Sequence, residues 1–157
     1  MLVEWLAKGK ASALGVASGA VAGLVVITPA SGFVDPKSAL IMGLLAGVVC
    51  YWGATALKRM FGYDDSLDAF GVHGTGGILG ALLTGVFASK EIGGALVKDS
   101  MSEQLWVQAE ATLATIAFSA VATYILLKLV DLVIGLRVSE EEEREGLDVT
   151  QHGERVE

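Results

Sequence analysis

Four apolar runs follow one another along the chain, and they leave few ways for it to fold. Residues 11–34, 38–57 and 69–89 contain no Asp, Glu, Lys or Arg, and residues 104–135 hold only Glu110, Lys128 and Asp131. A helix needs roughly 20 largely apolar residues to cross about 30 Å of hydrocarbon. Inside that medium every backbone N–H and C=O must find a partner in the protein, which restricts spanning structures to helices and closed barrels. A soluble all-helical core is the alternative, and four such runs in 157 residues, 53% of them apolar, weigh against it. The expected fold is all-α: a polytopic membrane helical bundle of four transmembrane helices at about 11–34, 38–57, 67–89 and 104–135.

Charge separates a second region from this one. The chain carries a net charge of −7, and eight acidic against two basic residues from Val138 onward account for −6 of it. The sequence therefore divides into a membrane part, 1–135, and an acidic tail, 136–157. An acidic tail on a near-neutral body excludes nucleic acid as a partner. Cys50 is the only cysteine and falls mid-span, so there is no disulfide and no thiolate metal site, and a packed apolar role suits it. The two histidines, His73 and His152, are far apart in sequence and the carboxylates near the span ends complete no ligand set with them. No metal or other cofactor is expected. The opening "MLVEWLAKGK" lacks the basic-then-apolar order of a signal peptide, and Glu4 interrupts it.

Basic residues set the orientation. Lys8 and Lys10 precede span one, Lys58 and Arg59 follow span two, and Lys128 and Arg137 close span four. The other side has Lys37, Lys90 and Lys98, each with an acid nearby. Both termini of the chain are therefore expected on the cytoplasmic side. The tail reads clearly as well: Gly135 stops the fourth span, Ser139 and Glu142 form a capping box, a helix runs from about Glu140 to Glu145, and Gly146 ends it.

Glycine is placed for close contact. Gly15, Gly19 and Gly23 make two overlapping GxxxG steps, Gly43 and Gly47 another, and Gly76 and Gly80 one more. Such rows let helix backbones approach where lipid supplies no hydrophobic drive, and simple helix packing is the plain reading for spans one and two. In "VVITPASGFVDP", residues 25–36, Pro29 cannot donate a backbone bond and Thr28 can offer its hydroxyl to a freed carbonyl. The stretch is either the mouth of a cavity or an ordinary helix terminus.

The third span carries the one feature that packing does not explain. His73 lies inside "DDSLDAFGVHGTGGILGALLTGVFA", residues 64–88, and on a regular helix it shares a face with Gly76, Gly77, Gly80 and Thr84. Charge at depth costs on the order of 3 kcal/mol or more, and burial favours the neutral imidazole, which both donates and accepts a hydrogen bond. A small polar solute crossing a narrow pore needs such a partner with room beside it. A structural histidine bonding a neighbouring carbonyl is the alternative. Asp64, Asp65 and Asp68 stand at the start of this helix, where Asp65 or Ser66 can cap it and a carboxylate suits the dipole.

Three stretches together resemble one family. "DAFGVHGTGGILGALLTGVFA", "ASGAVAGLVVITPASGFVDP" and "LVDLVIGLRVSEEEEREGLDVTQHGE" are similar, in the right order, to the penultimate helix, an earlier motif, and the last helix and tail of the Amt/MEP/Rh ammonium transporters, bacterial Amt branch. The resemblance covers essentially the whole chain. It implies transport of ammonium, with methylammonium as an analogue, by deprotonation outside and passage of ammonia along a pore lined by two histidines, and no enzymatic activity. His73 then matches one pore histidine, Thr28 falls where the family lines the outer vestibule, and Asp65 and Asp68 are structural helix-end acids. Asp65 corresponds to an aspartate with a counterpart in the other inverted half. The resemblance further implies a homotrimer in the bacterial inner membrane, lipid around it, and a PII signalling protein at the tail. The family has about eleven spans, and this chain matches the last four. The partner histidine, the two gating phenylalanines and the tryptophan and serine of the recruitment site have no match here, and Trp5, Trp52 and Trp106 stand in no such motif. Met1 falls where the preceding family helix ends, so the chain is expected to be a fragment, inactive alone. The alternative is a membrane module that presents its tail to PII without transporting.

Overall fold

The computed structural model describes residues 1–154, and the last three residues of the 136–157 tail lie outside the described residues. Every regular element among the described residues is helical. The chain divides into two compact units, Met1–Leu113 and Ala114–Glu157.

The first unit opens with α1 (Leu2–Lys8) and α2 (Ala13–Ile27). Ser12 caps α2, its Oγ accepting from the Gly15 N–H at 2.9 Å. A 3₁₀ turn, Thr28–Ala30, finishes this span short of the expected residue 34. Pro29 brings no N–H to prolong the ladder, and Gly32 turns the chain at φ 83°. The Thr28 hydroxyl donates back to Leu24 O at 2.6 Å, which satisfies a carbonyl at this terminus.

Asp35 caps α3 (Pro36–Trp52) by accepting from Ser38 N–H at 2.8 Å, and Pro36 takes the first helical position, where its missing donor is not needed. That backbone bond holds the Asp35 carboxyl below its usual range. Past Trp52 the helix widens into a π-helical turn, Gly53–Leu57, and ends as α4 (Lys58–Phe61) at Gly62, φ 63°. A second π-helical turn, Phe70–Gly74, leads into α5 (Thr75–Phe87). A short α6 (Lys90–Gly93) and a 3₁₀ turn follow, and then α7 (Met101–Val133). Four helical stretches are thus long and apolar enough to cross a membrane: Ala13–Ala30, Pro36–Phe61, Phe70–Phe87 and Met101–Val133.

The core of this unit is three helix stripes, each a row at four-residue spacing. Ala22, Val26 and Ala30 face Met42, Ala46 and Cys50, and Val72, Gly76, Gly80 and Thr84 close the third side. Val26 and Met42 have no exposed surface. Small side chains dominate these rows, so the backbones come close. A Cβ at Gly80 would lie 2.2 Å from Val26 O, and one at Gly76 would lie 3.0 Å from Cys50 Sγ. The expected close contact is therefore real for span three. It is not found for Gly23, Gly43 and Gly47, where an added Cβ would meet nothing within 4 Å among the described residues. In spans one and two the packed rows are those of Ala22 and Met42, one position away from the glycine rows.

In the second unit, α7 continues with exposed Phe118, Tyr124 and Leu132. Gly135 at φ 81° follows its end. α8 (Glu140–Glu145) forms where the sequence places it, with both bonds of the capping box present and Gly146 as its stop. The Ser139 hydroxyl and backbone N–H lower the Glu142 carboxyl, and Arg137 beside it lowers that of Glu143.

Candidate functional site

His73 is carried on the π-helical turn, not on regular helix. A turn of that kind holds one residue more than an α-turn, so it shifts the phase of everything before it relative to α5. Gly76, Gly80 and Thr84 are buried, whereas His73 is exposed and Gly77 only half-buried. The face expected from 3.6-residue spacing is therefore split. Its glycines at 76 and 80 pack on α2 and α3, and the imidazole lies to one side of them. Within the described residues His73 has no hydrogen-bond partner, carbonyl or other.

The turn is clamped from two sides. At its middle, glycine allows backbone to meet backbone: a Cβ on Gly71 would lie 2.6 Å from Ala54 Cα, and one on Gly53 would lie 2.5 Å from Gly71 O. The two π-helical turns thus cross at Gly53 and Gly71, where only glycine fits. The Cys50 thiol donates to Val72 O at 3.6 Å, and the Thr75 hydroxyl donates to Gly71 O at 2.5 Å. The Thr75 backbone N–H donates to Phe70 O and Val72 O as well.

Three side chains hold the start of the turn. Asp65 Oδ1 accepts from Ala69 N–H at 2.7 Å, and Oδ2 accepts from Gly71 N–H at 3.1 Å. Asp68 takes a left-handed backbone, φ 53°, alone among the described non-glycine residues. Such a conformation costs on the order of 1 kcal/mol or more and persists only where the surroundings enforce it. Lys58 supplies the enforcement, because its ammonium donates to Asp65 O at 2.9 Å and pairs with the Asp68 carboxylate. Tyr63 packs edge-on against Phe70, with ring centroids 5.7 Å apart, on the same approach to the turn.

Thr28 is exposed at the far end of α2. Val26 meets Gly80, and Ala22 clusters with Val72, so α2 and span three run in the same direction. With about 1.5 Å of rise per residue, Thr28 and His73 are on the order of 13 Å apart along the bundle. The structure does not bring them together. A cavity of about 150 Å³ adjoins the site, lined among others by Glu4, Ser12, Gly47, Cys50, Thr55 and Val72. Glu4 is its least expected wall: it is 8% exposed and accepts from the Ser12 hydroxyl at 2.9 Å and from Lys8 at 3.3 Å. The Ser12 bonds lower the Glu4 carboxyl. No group of three or more His, Cys, Asp or Glu among the described residues could hold a metal ion.

Lys58, Cys50 and Glu4 were not legible as site residues. Lys58 reads in sequence as a topology marker, Cys50 as packing and Glu4 as a break in a leader. The two basic residues ahead of three aspartates in "KRMFGYDDSLD" are the signal that could have found the clamp.

The Ammonium Transporter Family profile matches residues 1–157. The chain belongs to the ammonium transporter family. The ammonium transporter of Bacillus subtilis (strain 168) is 47% identical over 159 residues, covering 99% of this chain and 39% of that protein. Ammonium transporter Amt1 of Archaeoglobus fulgidus is 46% identical, covering 98% of this chain and 39% of that protein. The crystal structure of Candida albicans Mep2 superposes with a TM-score of 0.78 at 34% identity, over 90% of this chain and 33% of that one. A solved structure described as a sensor Amt protein gives a TM-score of 0.82 at 28% identity, over 96% of this chain and 37% of that one. The chain thus spans about 39% of the length of the curated ammonium transporters it matches. With four apolar helices and this family, it is a multi-pass membrane protein, and its named relatives are transporters, not enzymes.

Proposed function

We propose that this chain forms one wall of an ammonium pathway, along which ammonium loses its proton and ammonia passes the His73 imidazole. One observation carries the reading. His73 stands within the family motif, is exposed and unpartnered among the described residues, and is held on a turn that several other groups fix in place. A neutral imidazole with free donor and acceptor suits a desolvated polar molecule, whereas stripping water from a cation is far more costly. Thr28 belongs to the outer mouth in this reading, and Asp65 and Asp68 serve the helix end structurally. Residues 1–135 form the transport part and 136–157 a cytoplasmic regulatory tail. Both termini lie on the cytoplasmic side of an inner-membrane homotrimer, and methylammonium travels as an analogue.

The His73 imidazole is exposed, and in this reading the chain by itself encloses no conduit there. Transport therefore needs an opposing wall. The test joins this chain to a matching N-terminal half and measures ammonium-evoked current in proteoliposomes. His73→Ala should reduce uptake or abolish charge movement while the protein stays folded. Unchanged current and rate would refute the pore role. Saturable uptake by Met1–Glu157 alone would refute the need for a second wall.

A second reading is a non-transporting module whose tail binds a PII signalling protein. The likeness to a sensor Amt protein favours it, as does a tail that carries a preformed capped helix beside a run of glutamates. A pull-down with PII in which loss of residues 138–157 changes nothing would remove it.

A further inference from the structure

We propose that Lys58 is a positioning residue for His73, acting through the left-handed backbone of Asp68. This rests on the reading of His73 as a pore residue, although its test does not require transport. The argument starts from two departures from regular helix that occur a few residues apart. Asp68 is the one non-glycine residue at positive φ among those described, and the π-helical turn bearing His73 begins two residues later. Left to itself, this stretch would relax toward right-handed backbone and a regular α-turn. A regular turn holds one residue fewer, so His73 would rotate toward the buried row of Gly76, Gly80 and Thr84.

Lys58 opposes this relaxation. Its ammonium bridges two points of the loop, the Asp65 carbonyl and the Asp68 carboxylate, while the Asp65 carboxylate grips Ala69 and Gly71 within and beside the turn. Asp68 O in turn accepts from Val72 N–H at 2.9 Å, which ties the left-handed residue to the residue before the imidazole. Lys58 contributes nothing to the pathway directly. Its removal lets the wide turn close, and a residue that no longer needs to be left-handed shifts that balance roughly 5- to 30-fold.

The experiment uses the whole chain in lipid nanodiscs with His152→Ala, so that His73 is the only imidazole. Its ¹⁵N ring resonances and its rate of modification by diethyl pyrocarbonate are the readouts. Lys58→Met, of similar length without charge, should displace the resonances and slow modification as His73 turns toward the packed row. Adding Asp68→Gly to Lys58→Met should restore both readouts, because glycine adopts φ near 53° without the clamp. A lysine that merely stabilised the fold would not be replaced by a glycine ten residues away. Unchanged His73 readouts in Lys58→Met overturn the proposal, and so does a displacement that Asp68→Gly fails to reverse. Should Lys58→Met not fold, the Lys58→Met/Asp68→Gly double variant decides: native readouts support the proposal, and failure to fold overturns it. A displaced His73 in a joined transporter that conducts normally as His73→Ala would sink the pore reading and leave the positioning role intact.

Discussion

Replacing Gly80 with alanine should destabilise the first unit, although the same change at Gly77, less than one turn away, should stabilise it. A Cβ at position 80 would sit 2.2 Å from Val26 O, against the 3.4 Å at which ordinary contact begins, so the helices must part by about 1.2 Å. The obstructing atom is backbone, and Val26 has no exposed surface, so no rotamer change relieves the clash. Overpacking of this kind costs about 1–3 kcal/mol, and a rigid obstacle places it toward the upper end. An added Cβ at Gly77 meets nothing within 4 Å among the described residues. Both substitutions gain the same helix propensity, up to about 1 kcal/mol. That gain cancels when the two variants are compared, so their difference isolates the steric cost. Unfolding of each variant by SDS in mixed micelles, followed by far-UV circular dichroism, measures it. We expect Gly77→Ala to exceed Gly80→Ala by about 2–3 kcal/mol. Equal stability of the two would show that α2 and α5 do not touch as described, and the three-stripe core would have to be redrawn.

Cys50 is 2% exposed, so a maleimide should label its thiol only after unfolding, as a mass shift would show; rapid labelling of folded protein would contradict its bond to Val72 O. Ser139→Ala removes the capping box and should cost the tail helix about 1 kcal/mol, read as lost helicity in a peptide spanning residues 136–154. Glu142 and Glu143 are both held below their ordinary value of 4.5, so their contribution is complete above that pH and disappears as pH falls through the lowered values; tail amide protection should therefore persist at pH 5 and decline in stronger acid. Gly43→Ala should be neutral or slightly stabilising in this chain, measured by the same micelle unfolding, because its glycine row meets no described neighbour.

Composition and local chemistry, both legible in the sequence, determined the number of spans and the ends of several elements. Four apolar runs require four helices because a hydrocarbon medium leaves the backbone no other partners, and all four formed. Capping is equally local, so Ser139, Glu142 and Gly146 marked the tail helix without reference to anything distant. Pro29 and Gly32 marked a break, although span one stopped sooner than apolarity alone suggests. Helix face was a different matter. Periodicity puts His73 in line with Gly76 and Gly80, and that holds only while every turn has 3.6 residues. Whether a turn widens depends on which groups meet its carbonyls and how closely another backbone approaches. Those groups, the Cys50 thiol, Gly53 and the Lys58 ammonium, come from the neighbouring helix, 7 to 22 residues away in sequence from the groups they meet. The choice of contact row had the same origin: glycine permits close approach at 15, 19, 23, 43, 47, 76 and 80, but only mutual packing of three helices selects where it occurs. Residue type sets what a position can do, and the tertiary arrangement decides which of those possibilities is used.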